Sequence, residues 1–266
     1  MSTQHKPRKR FGQNFLIDQQ VIEKIISAIG PKQEDNLIEI GPGMAAITEH
    51  LIKHCPSMTL LELDRDLVDY LQKKFQDYPS LTIHSGDALQ TDFAQFYDGR
   101  KLRLVGNLPY NISTPLLFHL LNVKERIKDM HFMLQREVVD RLGAIPGDKH
   151  YGRLSVMIQY YCRVIPLIPV PPTSFRPAPK VQSAVVRLTP HTDLPHLADN
   201  HNILSQVVNL SFQQRRKTLK NCLNYFAEHL PKVAENIDLT RRPEQLTIKE
   251  FVDLSNSINR SINITK

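Results

Sequence analysis

Two hydrophobic patterns alternate along the first two-thirds of the chain. Five short apolar runs have the length and composition of buried strands: residues 37–41, 58–63, 81–86, 102–107 and 130–135. The segments between them carry apolar residues at helical spacing: residues 45–54, 65–75 and 114–122. Strands that alternate with helices in this way predict a parallel sheet covered by helices on both faces.

The pattern changes after Gln135. Residues 136–144 predict a helix, and the alternation in residues 183–190 predicts a further strand. Residues 154–168 begin with helical spacing and end in β-branched residues, so their type stays open. The proline-rich stretch 170–180 predicts a loop without a regular element.

The strand signal disappears beyond Pro190. Residues 189–200 have the composition of a linker, and from Ile203 onward the sequence predicts helices. A tail of this length is too short for a large core of its own. We therefore predict two domains, an α/β domain of residues 1–190 and a small all-α domain of residues 191–266.

Basic residues outnumber acidic ones by 34 to 27, which gives a net charge of +7. This balance favours a polyanionic partner such as a nucleic acid. The basic residues are densest in residues 5–10 and 213–220. Taken alone, either cluster is equally compatible with a solvated tail or helix face.

Cysteine usage and the apolar runs narrow the class of protein. Cys55, Cys162 and Cys222 are far apart and lack metal-ligand spacing, which predicts reduced thiols and no structural metal. The chain has no apolar run of the ~18 residues that a membrane span needs, and its N-terminal residues lack the apolar core of a secretory signal. We expect a cytoplasmic protein without a membrane partner.

The first strand-to-helix junction has the features of a cofactor turn. Gly41 and Gly43 permit a tight turn and close backbone approach, and the following helix offers unpaired N–H groups. Ala46 stands where a dinucleotide motif has its third glycine, a change that such sites tolerate. A nicotinamide cofactor and a plain strand-to-helix turn both stay open at this point.

Acidic residues follow the next two strands. Glu62 lies about 20 residues after the glycine turn, where a carboxylate can accept from ribose hydroxyls, and Asp87 can accept from an exocyclic adenine amine. Each acid alone is more often a surface residue or a helix cap, and Asp64 and Asp87 have cap positions. Features at three consecutive strand ends together favour a cofactor with adenine and ribose, without requiring a pyrophosphate.

The stretch VGNLPYNIS, residues 105–113, follows the fourth strand. Asn and Pro are common in turns, so a turn is one interpretation. The other is a clamp for a flat, hydrogen-bonding substrate, with Asn107 and Tyr110 as its contacts.

Several motifs together resemble a known family. EIGPG, LELD, GDAL and NLPY resemble S-adenosylmethionine-dependent methyltransferases that act on amino nitrogens. KPRKRFGQNFL, VGNLPYNIS, YGRLSVMIQYYC and SFRPAPKVQSAVV resemble the ribosomal RNA adenine N6,N6-dimethyltransferase family, over most of residues 6–226. The resemblance implies a Rossmann-like class I methyltransferase sheet with a small all-α C-terminal domain, and S-adenosyl-L-methionine as cofactor.

The resemblance also implies cofactor-binding residues. Asn14 and Leu16 would close over the cofactor, and Asn107 would be shared between cofactor and substrate. The glycine turn maps to Gly41, the ribose-binding acid to Glu62 and the adenine-binding acid to Asp87. Gln182 departs from the family, which has Asp at this position; we expect altered anchoring of the preceding loop without loss of activity.

The residues expected to contact the substrate follow partly from the chemistry of the reaction and partly from the resemblance. Adenine N6 is a poor nucleophile, and two acceptors, Asn107 Oδ1 and the Leu108 carbonyl, would orient its amine. Pro109 fixes the backbone there, and Tyr110 offers a face for stacking, a contact worth ~1–3 kcal/mol. By resemblance Phe175 would be the second aromatic around the base; the alternative is a loop aromatic that anchors a mobile segment.

Basic residues are candidates for RNA binding. The N-terminal candidates, next to QNFL, are Lys6, Arg8, Lys9 and Arg10. In the C-terminal region an apolar stripe runs from Leu204 to Phe226, and Arg216 falls on it. Arg216 would contact the catalytic domain or RNA, or extend out of a small core. Arg215 and Lys217 lie off the stripe and are candidates for phosphate contacts.

We predict a cytoplasmic monomer that dimethylates two adjacent adenines in a loop near the 3' end of small-subunit (16S) ribosomal RNA. Its partner would be this RNA within a 30S assembly intermediate, which links it to ribosome biogenesis. The first alternative is an adenine methyltransferase acting on large-subunit RNA or DNA. The second is an RNA-binding assembly factor whose methylation is incidental. The third alternative is a nicotinamide dehydrogenase. The sequence argues against it, because no catalytic His, Tyr/Lys or Arg constellation accompanies the glycine turn.

Overall fold

The computed structural model describes residues 14–214 and 216–264. The chain divides into two compact units. The first contains Met1–Val139 and Arg163–Pro190, and the second contains Asp140–Cys162 and His191–Lys266. The predicted boundary at Pro190 coincides with one of these borders, whereas residues 140–162, assigned from sequence to the first domain, group with the second unit.

The first unit contains the strands of the described residues. They are β1 (Phe15–Leu16), β2 (Asn36–Ile40), β3 (Thr59–Glu62), β4 (Thr82–Ser85), β5 (Leu102–Asn107), β6 (Ile127–Gln135), β7 (Cys162–Val170), β8 (Phe175–Arg176) and β9 (Ser183–Pro190). Seven form one sheet in the order β4-β3-β2-β5-β6-β9-β7. The pairs β3–β4, β2–β3, β2–β5 and β5–β6 are parallel, and β9 runs antiparallel to β6. The sheet is therefore mixed rather than all parallel.

The order in which strands are added to the sheet reverses between β2 and β5. β3 and β4 extend the sheet on one side of β2, and β5 and β6 extend it on the other. Glu39 pairs with Val105, so the carboxyl ends of β2 and β5 meet at Gly41 and Asn107. This is the switch point at which open α/β sheets bind their ligands.

In the part of the chain that the structure describes, five α-helices lie within or border the first unit: α1 (Gln19–Ile29), α2 (Thr48–Leu51), α3 (Arg65–Lys74), α4 (Ser113–Leu121) and α5 (Arg136–Gly143). The sequence pattern missed α1, although both of its ends carry clear signals. Asp18 accepts from the N–H groups of Gln20 and Val21, and Gly30 ends the helix in the left-handed conformation at φ +54°.

β2 and β5 approach each other closely at Gly106. A Cβ there would lie 2.4 Å from the carbonyl oxygen of Ile40, an approach that real Cβ atoms do not make. Glycine is required at this position because two backbones meet beside the switch point.

A buried charge network lies at the opposite, amino-terminal edge of the sheet. Arg103 donates to both carboxylate oxygens of Asp129 through Nε, at 3.0 and 3.2 Å, and to Asp35 Oδ2 at 2.6 Å. It also donates to the Gly30 and Ile29 carbonyls at the end of α1. Burial raises the pKa of Asp35 and Asp129, but opposing contacts lower both pKa values below their usual range: chiefly Arg103 for Asp35, and His131 together with Arg103 for Asp129.

The two-residue strands β1 and β8 form a separate antiparallel sheet. Phe15 pairs with Arg176 and Leu16 with Phe175. Ile17 N donates to the Ser174 carbonyl, and Ser174 Oγ donates to Asp18 Oδ2 at 2.8 Å. The prediction of a loop without a regular element over residues 170–180 is therefore wrong at β8, because the prolines on either side leave Phe175 and Arg176 free to pair.

The second unit is helical in its described residues. It contains α6 (Arg153–Tyr161), α7 (His201–Ser211), α8 (Leu219–Cys222), α9 (Leu230–Val233) and α10 (Ile248–Ile264). Tyr151 Oη donates to the Leu246 carbonyl at 2.9 Å, and Tyr160 Oη accepts from Ala198 N at 3.2 Å. These bonds tie residues 140–162 to the C-terminal helices and explain the grouping of that segment.

Other elements have different bounds in the structure from those that the sequence predicted. The open segment 154–168 contains all of α6 except Arg153, followed by most of β7, so the helical spacing and the β-branched residues each indicated a real element. The predicted helix over 45–54 shrinks to α2, because the turn before it extends to Ile47. The stripe from Leu204 to Phe226 is not one helix: α7 ends at Ser211, and the chain turns before α8.

Among the residues that the structure describes, no helix combines the length and apolar character needed to cross a membrane. The same residues include no group of three or more His, Cys, Asp or Glu side chains arranged to hold a metal ion. Cys55, Cys162 and Cys222 are buried and form no disulfide.

Candidate active site

The glycine turn after β2 is a run of left-handed residues. Gly41, Gly43 and Ala45 have φ of +67°, +58° and +71°. Ala45 adopts this conformation at a cost of ~1–2 kcal/mol, a type of strain that concentrates at functional sites. The turn lines a cavity over the carboxyl ends of the parallel strands.

Glu62 lies at the end of β3 and contacts the glycine turn. Its Oε2 accepts from Gly43 N at 3.2 Å, and its Oε1 accepts from Leu63 N and Asp64 N at 2.9 Å. Burial raises the pKa of Glu62, although these three N–H groups favour the carboxylate. The predicted ribose-binding acid is thus held in place and lines the cavity.

Asp87 lies just beyond β4 and also lines the cavity. Its Oδ1 accepts from Leu89 N at 2.9 Å, and its Oδ2 accepts from Gln90 Nε2 at 3.1 Å. It therefore caps a local turn. Asp64 is the cap of α3, accepting from Asp66 N, so one of the two suspected caps is a helix cap.

Asn107 ends β5 and opens the turn that the sequence predicted as a turn or a clamp. Asn107 Nδ2 donates to the Asn14 carbonyl at 3.0 Å. Leu108 N donates to the Met133 carbonyl at 3.2 Å, and Tyr110 Oη lies 2.8 Å from Ser183 Oγ. Residues 107–110 all line the cavity, so the chain turns here and these residues also form part of the cavity wall.

The segment Asn14–Leu16 lines the same cavity. Phe15 lies against the glycine turn, since a Cβ on Gly43 would come within 3.2–3.3 Å of its ring. The sequence singled out Asn14 and Leu16 and missed Phe15. The signal for it was its place between these two residues, in a strand too short for periodicity to detect.

Phe175 is not among the residues that line the cavity. Its side chain is only 4% exposed and packs in the core with Leu16, Ile22 and Val185. The pairing of β8 with β1 turns it into the core beneath this segment. The alternative, an aromatic residue that anchors the loop, describes its position in this structure better than the second wall of a base sandwich.

Carboxyl groups give the cavity its electrostatic character. Glu39, which the sequence reading did not single out, joins Glu62 and Asp87 in its lining. Glu39 is 2% exposed and accepts from Thr48 Oγ1 at 2.6 Å. Burial raises its pKa to about 7, with a further contribution from nearby Glu62.

This charge distribution fits a cationic ligand. Among the described residues, the cavity lining contains three carboxyl groups and no lysine, arginine or histidine. A pyrophosphate would find no cation there, whereas a sulfonium cofactor with an adenosine moiety meets acceptors for its charge, ribose and amine. The residues present therefore fit S-adenosyl-L-methionine better than a dinucleotide.

The RNA-binding candidates are mostly beyond the described residues. Lys6, Arg8, Lys9, Arg10 and Arg215 fall in that category. Arg216 and Lys217 lie between α7 and α8, and both are exposed. The expectation that Arg216 falls on an apolar stripe is wrong, because the helix that would carry the stripe ends before it.

The sequence profile of the family described as "Ribosomal RNA adenine dimethylase" matches residues 4–260. The chain belongs to this family. It is 57% identical over 255 residues to "Ribosomal RNA small subunit methyltransferase A" of Saccharophagus degradans, which covers 96% of this chain and 95% of the relative. The protein of the same name from Vibrio cholerae is 54% identical over 255 residues, or 95% of this chain and 93% of the relative.

A solved structure shares the fold. The crystal structure of a dimethyladenosine transferase from Plasmodium falciparum superposes with a TM-score of 0.78 at 24% sequence identity, covering 93% of this chain and 98% of that chain. This likeness confirms the predicted fold class of a class I methyltransferase sheet with a helical C-terminal region.

Membership of the adenine dimethylase family confirms further predictions. The family and enzyme class are as the sequence motifs indicated, and S-adenosyl-L-methionine is the cofactor. With relatives named for the small subunit, the predicted function is also confirmed: dimethylation of adenine in small-subunit ribosomal RNA. This family membership excludes the alternative of a nicotinamide dehydrogenase.

Proposed function

We propose that this enzyme dimethylates two adjacent adenines in a loop near the 3' end of the small-subunit RNA, acting as a cytoplasmic monomer on an assembly intermediate of the 30S subunit. Residues 1–139 and 163–190 would supply catalysis, and residues 140–162 and 191–266 would form the helical domain. The observation that carries the catalytic part is the fixed amide of Asn107, whose cavity also contains Gly41, Glu62 and Asp87.

The cofactor side of the site would use the carboxyl ends of β2, β3 and β4. Glu62 would accept from the ribose hydroxyls, and Asp87 from the adenine amine of the cofactor. Gly41 would let the backbone approach the cofactor, while Asn14 and Leu16 would cover it. Their common placement around one cavity supports these roles.

The substrate side would use the turn after β5. Because Asn107 Nδ2 donates to Asn14, the acceptor Oδ1 is the amide atom left to receive an N–H of the target adenine. The Leu108 carbonyl would accept the second N–H, and Pro109 restricts the backbone that presents it. Tyr110 would stack on the base. Bases in an RNA loop are accessible for such contacts because they are already unpaired.

Chemistry at this site requires position more than proton transfer. The cofactor supplies a methyl group already activated by the adjacent sulfonium charge. Two acceptors on the amine would direct the nitrogen lone pair toward that methyl, and holding the reactants in line lowers the barrier. The methylated nitrogen can lose its proton to water, so the site needs no strong general base.

Asn107→Ala tests these roles. We expect roughly a hundredfold loss of adenine methylation with RNA binding retained, because the variant removes an orienting acceptor and no phosphate contact. Asn122→Ala, an exposed asparagine at the end of α4, is the matched control. Methylation is measured by mass spectrometry on small subunits from a strain lacking the enzyme, and binding by filter retention. Normal methylation by Asn107→Ala would contradict the proposed role.

The assembly-factor alternative is tested in the same strain. If Asn107→Ala restored every growth and assembly defect of the deletion, RNA binding alone would be the function. Primer extension on both ribosomal RNAs locates the modified bases. Small-subunit methylation that persists in the deletion strain would contradict the proposed target.

A further inference from the structure

Ser183 is a buried polar residue in contact with the proposed substrate turn. It is the first residue of β9 and is 1% exposed. Its Oγ lies 2.8 Å from Tyr110 Oη, a hydrogen bond that joins residues 73 positions apart in the chain. The Tyr110 hydroxyl is therefore engaged by the protein, while the residue itself lines the cavity.

The frame that presents Ser183 is rigid. Ser183 pairs with Gln135 in the antiparallel ladder between β9 and β6, and Arg136 N donates to the Gln182 carbonyl at 2.8 Å. Tyr110 is held at its other end as well, since its carbonyl accepts from Ser113 Oγ at 2.9 Å. The Tyr110 hydroxyl is thus held by β9 of the sheet, and the Tyr110 backbone is held by α4.

We infer that Ser183 is a positioning residue, which fixes the Tyr110 ring as a preformed wall for the target adenine. The inference rests on the proposed stacking role of Tyr110. An aromatic ring on a turn rotates about two torsions, and the second is broad. A hydrogen bond at the ring tip restricts both torsions before the base binds, so binding costs less side-chain conformational entropy.

This role accounts for the type of residue at position 110. A phenylalanine would offer the same stacking face but would lack the tether. The hydroxyl thus contributes through preorganisation of the ring, without itself touching the base.

A double-mutant cycle tests the inference. The variants are Ser183→Ala, Tyr110→Phe and their combination, assayed for kcat/KM on unmethylated small subunits and for S-adenosylmethionine affinity by calorimetry. We expect each single variant to lower kcat/KM about three- to tenfold, the range of one hydrogen bond. The double variant should lose no more than either single one, because both remove the same interaction. Cofactor affinity should be unchanged.

Two controls separate this role from stability and from the proposed function. Ser255→Ala removes another buried serine hydroxyl, which donates to the Val252 carbonyl within α10, and should change only the melting temperature. If Ser183→Ala behaved like Ser255→Ala, with kcat/KM unchanged, the inference would be overturned. Multiplicative losses in the double variant would overturn it too.

Tyr110→Ala distinguishes the failure of the inference from that of the proposed function. If Tyr110→Ala lowers kcat/KM strongly while Tyr110→Phe and Ser183→Ala do not, stacking stands and the positioning role fails. If Tyr110→Ala has no effect, the proposed stacking fails and the inference fails with it.

Discussion

Glu39 shows how one buried residue makes the stability of this enzyme depend on pH. Burial raises its pKa from 4.5 to about 7, so the folded chain binds a proton that the unfolded chain releases. The contribution of Glu39 to the stability of the fold is then greatest below pH 4.5 and falls as the pH rises to about 7. The full loss amounts to ~3 kcal/mol, at 1.36 kcal/mol per pH unit.

Glu39→Gln should remove this dependence while keeping an acceptor for Thr48. We expect the free energy of unfolding of the variant, relative to that of the natural protein, to increase by ~3 kcal/mol as the pH rises from 4.5 to 8. Urea titrations across this range measure it, with the exposed Glu23→Gln of α1 as control. Parallel curves for the natural protein and Glu39→Gln would show that Glu39 does not titrate this way.

Gly106 gives a steric prediction. Gly106→Ala places its Cβ against the Ile40 carbonyl and should separate β2 from β5, at a cost of at least ~1–3 kcal/mol. Chemical denaturation measures the loss. Gly152→Ala is the control, because a Cβ there meets no atom within 4 Å and its φ of −174° suits any residue. Equal stability of the two variants would contradict the argument.

Single residues also show what sequence reasoning about the site achieved. Gly41, Glu62, Asp87 and Asn107 were predicted at strand ends, and they line one cavity because the carboxyl ends of parallel strands share an edge. Phe175 was placed by resemblance, which carries no information on how β8 packs. Glu39 was missed because an acid inside a buried strand has no local pattern.

At the scale of elements, the network around Arg103 joins β2, β5, β6 and α1 at the edge of the sheet away from the site. Arg103→Met should cost ~3–5 kcal/mol at neutral pH, because it removes the buried guanidinium that balances the charges of Asp35 and Asp129. The pKa values of both acids lie below 3.8 when folded, so their favourable contribution exists above that pH and disappears as the pH falls through the folded values.

The difference between Arg103→Met and the natural protein should therefore shrink as the pH falls, because the two buried carboxyls of the variant take up protons more readily without the guanidinium. Arg100→Met breaks an exposed pair with Asp98 and should change stability by only ~0–1 kcal/mol. Unfolding free energies at pH 3.5 and 7 measure both effects. A loss for Arg103→Met that does not change with pH would mean that lost packing, not charge, is responsible.

Elements were predictable where the hydrophobic period ran uninterrupted. Residues 102–107 and 183–190 match β5 and β9 at both ends, because apolar strands are bounded there by turn residues. β1 and β8 contain two residues each, too few for any period. The helix expected over residues 45–54 lost its first turn to Ala45, whose left-handed conformation is imposed by the tertiary turn.

At the scale of the whole molecule, the net charge of +7 predicts salt-dependent RNA binding. Replacing Lys6, Arg8, Lys9 and Arg10 by Gln should reduce the slope of log K against log salt by about 3, at 0.7 per phosphate contact on single-stranded RNA. Filter binding between 50 and 200 mM salt measures the slope. An unchanged slope would assign the phosphate contacts to other residues, and an unchanged affinity for S-adenosylmethionine confirms an intact cofactor site.

The hydrogen bond from Asn107 to the Asn14 carbonyl affects how the basic N-terminal residues 5–10 can be studied. A truncation that removes the basic residues together with Asn14 would also free the amide of Asn107 to rotate. Such a protein would lose methylation for two reasons at once, weaker attraction to phosphate and a misdirected catalytic acceptor. Charge substitutions that leave Asn14 in place separate the two, and they make the electrostatic contribution of residues 5–10 measurable by itself.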